Sequence, residues 1–281
     1  MNIGGNNGQI SGLGIDIDRK QTLFIADSSN HRIIEVKKGA TASEIQINRN
    51  NRHYYKDSNQ LYSPVDVVVD DRNDGLIICN RGHRKVVQWS RQNSQVLQTI
   101  ISNIQCYGLA LNDNGYIYVV DDEKHEVRKW KLGEHQEQGI LVAGGNGQGA
   151  SLNQFYQPRF IFIDDDDESI YVSDYGNHRV MKWIRGAREG IVVAGGQGQG
   201  RYLSQLSNPN GIFVDDLETV YIADTGNNRI VRWLKDANEG EILLNENNQL
   251  SSPFDLLFDD ENNLILNNQN HHRIQKFSII Q

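Results

Sequence analysis

Two cysteines and four prolines are all that this 281-residue chain holds of either type. So few cysteines exclude a disulfide-rich scaffold and an all-cysteine zinc site. No apolar run approaches the roughly 18 residues of a membrane-spanning helix. The first ten residues, MNIGGNNGQI, lack the basic start and apolar stretch of a secretory signal. Basic residues are in deficit as well, with 28 Lys and Arg against 36 Asp and Glu, a net charge of -8. A protein that tracks duplex nucleic acid needs a basic face, so that class is disfavoured. Hydrophobic residues make up 38% of the chain and mean hydropathy is -0.58, lean for a compact core but outside the disordered range. The 30 asparagines include no N-x-[ST] sequon, which leans away from a glycosylated secreted protein. What is abundant is Gly, with 26 residues, and Asn, the residues of tight turns.

Order appears once the chain is compared with itself. ILVAGGNGQGASLNQ at 140–154 and IVVAGGQGQGRYLSQ at 191–205 are near copies. Each precedes a proline, an apolar run, an acidic cluster, a second apolar run and a third run ending in Trp. The acidic or Asn residue that closes the second run recurs six times, as Asp27, Asn80, Asp121, Asp174, Asp224 and Asn268. Nine residues after each stands a large apolar residue: Val36, Trp89, Trp130, Trp183, Trp233 and Phe277. All four tryptophans fall in this column.

The runs are short and rich in β-branched and aromatic residues, as in IYVS and VYIA, and no helical periodicity is sustained. Each unit therefore predicts three strands, with a fourth before the glycine-rich link in most units. Six small antiparallel sheets predict an all-β, six-bladed β-propeller. Its blades fall at about 11–47, 61–101, 104–143, 157–195, 208–244 and 253–281 of one domain spanning 1–281. The last blade lacks its outer strand, and residues 1–5 are expected to supply it beside 272–280.

ADSSNHRIIEV in blade one, SDYGNHRVMKW in blade four and ADTGNNRIVRW in blade five resemble the NHL repeat, named for its Asn-His-Leu motif. NQNHHRIQKF in blade six is close to it. Blade two places His83, Arg84 and Lys85 at the motif positions, and blade three departs by placing Glu126 where the others have Arg or Lys. The resemblance implies a platform that binds proteins or RNA. A minority of relatives are enzymes, including a metal-dependent amidating lyase.

Candidate residues divide into structural and variable sets. His31, His125, His178, His271 and His272 sit in the motif loop, dispersed by the repeat, so no stoichiometric zinc is expected and no cofactor is assigned. Asp27, Asp174 and Asp224 with Arg32, Arg179 and Arg229 are expected to form blade-corner clips, and His272 with Arg273 occupies the same motif in blade six. The tryptophans are expected to pack between blades. DDDDE at 164–168 is expected to be a hairpin turn rather than a calcium loop, and the Gly-rich links lack the Lys and Ser/Thr of a phosphate loop. Cys79 and Cys106 should lie near one rim of adjacent blades, where a disulfide is geometrically possible; buried free thiols are the favoured expectation.

The repeat stops repeating at one column, just after the proline position. There Tyr107, Arg159, Asn210 and Phe254 stand beside the loop residues Arg81, Asp122 and Tyr175. These seven are the expected ligand-binding rim, and they contain no nucleophile–base pair. The expected function is a non-catalytic platform for a protein or peptide ligand, monomeric and without membrane contact, in a compartment the sequence does not assign. The alternative is a lyase or hydrolase with a metal held by Asp16, Asp66 and Asp255. A second alternative is RNA binding, which the net charge disfavours.

Overall fold

The computed structural model describes residues 2–3, 10–40, 45–46, 60–92, 95–134 and 137–279. Blade one holds β2 (Gly12–Ile17), β3 (Leu23–Asp27), β4 (Arg32–Val36) and β5 (Ile45–Gln46), and blade two holds β6 (Pro64–Asp70), β7 (Gly75–Asn80), β8 (Lys85–Ser90) and β9 (Gln95–Ser102). Blade three holds β10 (Cys106–Leu111), β11 (Tyr116–Asp121), β12 (Glu126–Lys131) and β13 (Ile140–Gly144). Blade four holds β14 (Pro158–Ile163), β15 (Ile170–Asp174), β16 (Arg179–Trp183) and β17 (Ile191–Gly195), and blade five holds β18 (Pro209–Val214), β19 (Val220–Asp224), β20 (Arg229–Trp233) and β21 (Glu241–Leu244). In blade six, β22 (Pro253–Phe258), β23 (Asn263–Asn268) and β24 (Arg273–Ser278) are joined by β1 (Asn2–Ile3). The fold is an all-β, six-bladed β-propeller of four-stranded antiparallel sheets, with no α-helix among the described residues. Asn2 pairs with Gln275 and Ile3 with Ile274, so the chain start completes the last sheet. Residues 1, 4 and 5 of the expected clasp lie outside the described residues.

Contacts group the chain into two compact units, residues 1–109 with 257–281 and residues 110–256. Within each, the second strand of a blade explains the packing. β3, β7, β15, β19 and β23 are buried along their whole length. Side chains alternate across a strand, and here both faces are covered. In the first unit Phe24 and Ala26 pack with Val67, Leu76, Ile78 and Trp89 of blade two. Leu23 and Ile25, which alternate with them in sequence, face the opposite way onto Leu257, Ile265 and Ile274 of blade six. In the second unit Ile170 and Val172 join Tyr118 and Val127 of blade three, whereas Tyr171 joins Ile212, Ile222 and Trp233 of blade five. A continuous apolar run is thus two alternating faces, each with its own partner blade.

The tryptophans close these interfaces. Each pairs with the first residue of the fully apolar run, as Leu76 with Trp89, Ile117 with Trp130, Ile170 with Trp183 and Val220 with Trp233. All four are buried. The Trp183 and Phe155 ring centroids lie 4.8 Å apart. A methyl group on Gly190 would stand 2.5 Å from the indole, so glycine is required for the approach of the chain to the ring. Trp183→Ala is expected to cost about 3–5 kcal/mol of unfolding free energy, measured by urea denaturation. A cost under about 1 kcal/mol would contradict the packing role.

Candidate functional site

Each blade corner carries the motif in one geometry. The second strand ends on the Asp or Asn anchor, a three-residue 3-10 turn follows (a plain turn in blade three), and the chain then passes through the left-handed region. His31, Arg84, His125, His178, Asn228 and His272 occupy that position, with φ between 52° and 57°. Asn and His tolerate this conformation better than most non-glycine residues.

Blade four shows the use of each motif residue. Asp174 Oδ2 accepts from Arg179 Nε at 2.7 Å and from Asn177 Nδ2 at 2.8 Å, and its Oδ1 accepts from the Tyr156 backbone N–H at 2.7 Å. The rest of the guanidinium donates to the carbonyls of Ala150, Ser151 and Gln154 at 2.8, 3.0 and 3.1 Å. Arg179 therefore fastens the incoming glycine-rich link. His178 fastens the outgoing one, its Nδ1 accepting from the Asn208 backbone N–H at 3.1 Å. Blade five repeats the scheme. Asp224 holds Arg229 at 2.6 Å, and Arg229 donates to the carbonyls of Arg201, Tyr202 and Gln205. Asn228 Oδ1 accepts from Ser252 at 2.8 Å in place of the histidine. In blade one Asp27 holds Arg32 at 2.7 Å and His31 Nδ1 accepts from Ser63 at 3.0 Å. In blade six His272 Nδ1 lies 3.3 Å from the Ile10 carbonyl, and the Asn268 anchor donates to Gln275 Oε1 at 2.5 Å rather than meeting a carboxylate; Arg273 begins β24 beside it. In blade three Asp121 faces Glu126 in register, and Glu126 takes Arg128 at 2.7 Å. Burial, with Glu126 adding to it, holds the Asp121 carboxyl above the usual carboxylate range.

The cysteine expectation is overturned: Cys79 and Cys106 form a disulfide between β7 and β10, with Cα atoms 5.8 Å apart. Cys106 occupies the column held by Pro64, Pro158, Pro209 and Pro253, and Cys79 the small-residue column of Ala26 and Ala223. Two small side chains from neighbouring blades thus stand within bonding range. Burial alone, which suggested inert thiols, did not distinguish the two states.

The seven rim residues form two guanidinium–aromatic pairs and three separate placements. Arg81 lies over the Tyr107 ring at 5.1 Å and donates to the Cys106 carbonyl at 2.9 Å. Arg159 lies over the Tyr175 ring at 4.2 Å. Asn210 donates to Thr225 Oγ1 at 2.8 Å, the Phe254 ring stands edge-on to Phe160 at 5.7 Å, and Asp122 is half-buried in the turn after β11. Tyr107, Asn210 and Phe254 are only 6%, 1% and 6% exposed, so their side chains are engaged inside the fold. The exposed large apolar side chains lie mainly on outer strands, at Leu217 in a blade-five turn, and on the links. Tyr202 is 79% exposed and Leu152 and Leu203 about half that, at 42% and 39%. Tyr202 takes the place of Ser151 in the otherwise similar link, a substitution visible in the paired sequences.

The three aspartates of the metal alternative are bonded to backbone. Asp16 accepts from Ile17 and, across to blade two, Val69 at 2.7 Å. Asp66 accepts from Val67 and, across to blade three, Leu109 at 2.7 Å, and Asp255 accepts from Leu256 at 2.9 Å. Burial pushes the Asp16 carboxyl up to about 6. Among the described residues no three His, Cys, Asp or Glu side chains group as a metal site.

Comparison with known proteins agrees with this geometry. The family model of the NHL repeat matches residues 206–233, which contain the blade-five corner and Trp233. An auxiliary nutrient binding protein from Bacteroides thetaiotaomicron superposes with a TM-score of 0.74 at 13% identity, over 96% of this chain and 69% of that one. A streptogramin B lyase gives 0.63 at 12% identity, over 97% and 94%. A chain of the nidogen–laminin complex gives 0.62 at 14%, over 82% and 78%. At such identities the likeness is one of fold. The protein is a six-bladed β-propeller that carries an NHL repeat.

Two outcomes are expected. Burial lowers the pKa of His31 and His178, and each must be neutral at Nδ1 to accept its bond. A lowered folded pKa means stability that is complete above the ordinary value near 6.5 and lost as pH falls through the folded one. Blade five shows that Asn serves at this position. His178→Asn should therefore match the parent at pH 8 and lose less stability by pH 5, by about 1 kcal/mol, the worth of one hydrogen bond. Equal losses in thermal melts at both pH values would contradict this. Reduction of the Cys79–Cys106 bond, whose separation is 27 residues, should cost about 3.5 kcal/mol on chain-entropy grounds. Denaturation of the Cys79→Ala, Cys106→Ala double variant beside the parent measures it.

Proposed function

We propose that this propeller is a non-catalytic platform that binds a protein or peptide through its link loops. The observation that carries the reading is the fixing of Tyr202. Its backbone carbonyl and those of Arg201 and Gln205 are held by the buried Arg229 guanidinium, yet its side chain is 79% exposed. Tyr supplies a large amphipathic contact area, and a backbone ordered before binding loses little entropy on association. Leu203 and Leu152 extend the apolar character along equivalent link positions. An auxiliary nutrient binding protein among the structural neighbours lends the fold a precedent for ligand binding. The net charge of -8 favours a protein or peptide over RNA.

A displayed random-peptide library panned on the wild-type protein tests this. Enriched peptides are expected to bind about thirtyfold more weakly to Tyr202→Ala, roughly 2 kcal/mol. The melting temperature should stay within about 2 °C, because the side chain supports nothing beneath it. Binding that survives the substitution would move the working face elsewhere.

A further inference from the structure

The tryptophan column has a gap. Leu23 pairs with Val36 in the register that elsewhere joins an apolar residue to Trp89, Trp130, Trp183 or Trp233. A cavity of about 70 Å³ lies there, in the first unit, between blades six and one. Its floor is Leu23, Val36, Ile265 and Ile274, all buried. Lys37, Lys38 and Gly39 are exposed at its mouth, so it opens to solvent. In the second unit the same register between blades three and four also forms a cleft, but there the Trp183 indole is part of its wall.

We propose that the cavity beside Val36 is a binding site for an uncharged, flat aromatic ring of indole size. The chain itself supplies the argument for the occupant: the four equivalent positions that carry Trp each bury an indole. The lining supplies the second argument. Lys38 is paired with Asp260 and Glu261, and Lys276 with Asp259, so the charges at the mouth are balanced. An anion would compete with these carboxylates, whereas an apolar ring gains contact with the floor and displaces only water. An enclosed apolar cavity of about 150 Å³ takes a whole benzene. Half that volume, open on one side, seats a ring edge-first with the remainder in the mouth. The site is separate from the link loops proposed above and stands or falls independently of them.

The test is titration of the full chain with indole, followed by ligand-observed saturation-transfer NMR. One saturable site in the millimolar range is expected. Val36→Trp should fill the cavity, weaken indole binding at least tenfold and raise the melting temperature. If Val36→Trp does not fold, Val36→Phe carries the same expectation with partial filling. No saturation within the solubility of indole, or equal binding by the parent and the folded variant, would overturn the proposal.

Discussion

A buried arginine at the blade corner is the contact on which the other features depend. Arg179 and Arg229 each meet a fully buried carboxylate on one edge and three loop carbonyls on the other. Guanidinium has a rigid fan of donors, and lysine cannot reproduce it. Burying this charge is tolerable because every edge finds an oxygen. The aspartate in turn has no exposed face, and its oxygens are filled by Arg, Asn and one backbone N–H. One side chain therefore ties the turn of its own blade to the link that enters it. The Gly-rich links are held from this point and by a few amide side chains of their own, as Gln154 to the Asn146 carbonyl and Gln205 to the Gln197 carbonyl.

The next constraint is how one blade is held to its neighbour. Here the chain uses several chemistries for one task. His31, His125 and His178 accept a backbone N–H of the following blade, and Asn228 does so with an amide oxygen. Where the proline column fails, a substitute appears close by. Cys106 replaces proline and is bonded to Cys79. Gly12 replaces it in blade one, and Asn267 of blade six donates to the adjacent Leu13 carbonyl at 3.0 Å. Proline fixes its own φ without a partner; the two junctions that lack it each gain a specific cross-blade bond.

These two levels explain what was legible in the sequence. Anchor, motif and tryptophan columns recur at constant offsets, and constant offsets survive any uncertainty about turns. The architecture and the strand runs follow from them. The Asp–Arg pairing was legible too, because both residues flank one turn. The three carbonyls bound by each arginine were not, since a link's backbone direction leaves no mark on residue types. The disulfide was half legible: the columns placed two cysteines near each other, but their expected burial favoured free thiols. The rim column reads differently. Variability at Tyr107, Asn210 and Phe254 suggested surface, yet those positions face inward, where departures from the repeat fill space. Phe254 meets Phe160 from two blades away, a contact that no single repeat encodes.

The same logic bears on where function resides. A position that varies inside the fold must be matched by its neighbours, as Gly14 is to Asp66 and Gly211 to Asp255: a Cβ on either glycine would fall within 2.3 Å of a carboxylate oxygen. Such variation is compensated locally and says little about ligands. Variation at the exposed link positions is different, because the link's backbone is already held by the corner arginine and an exposed side chain there owes little to packing. Ser151 and Tyr202 occupy equivalent places over equivalent guanidinium contacts, and the change from one to the other adds an aromatic ring to the surface without a compensating change beneath it. A scaffold with this division of labour can alter what it presents to a partner while leaving its stability in the corners, which is the property a binding platform requires.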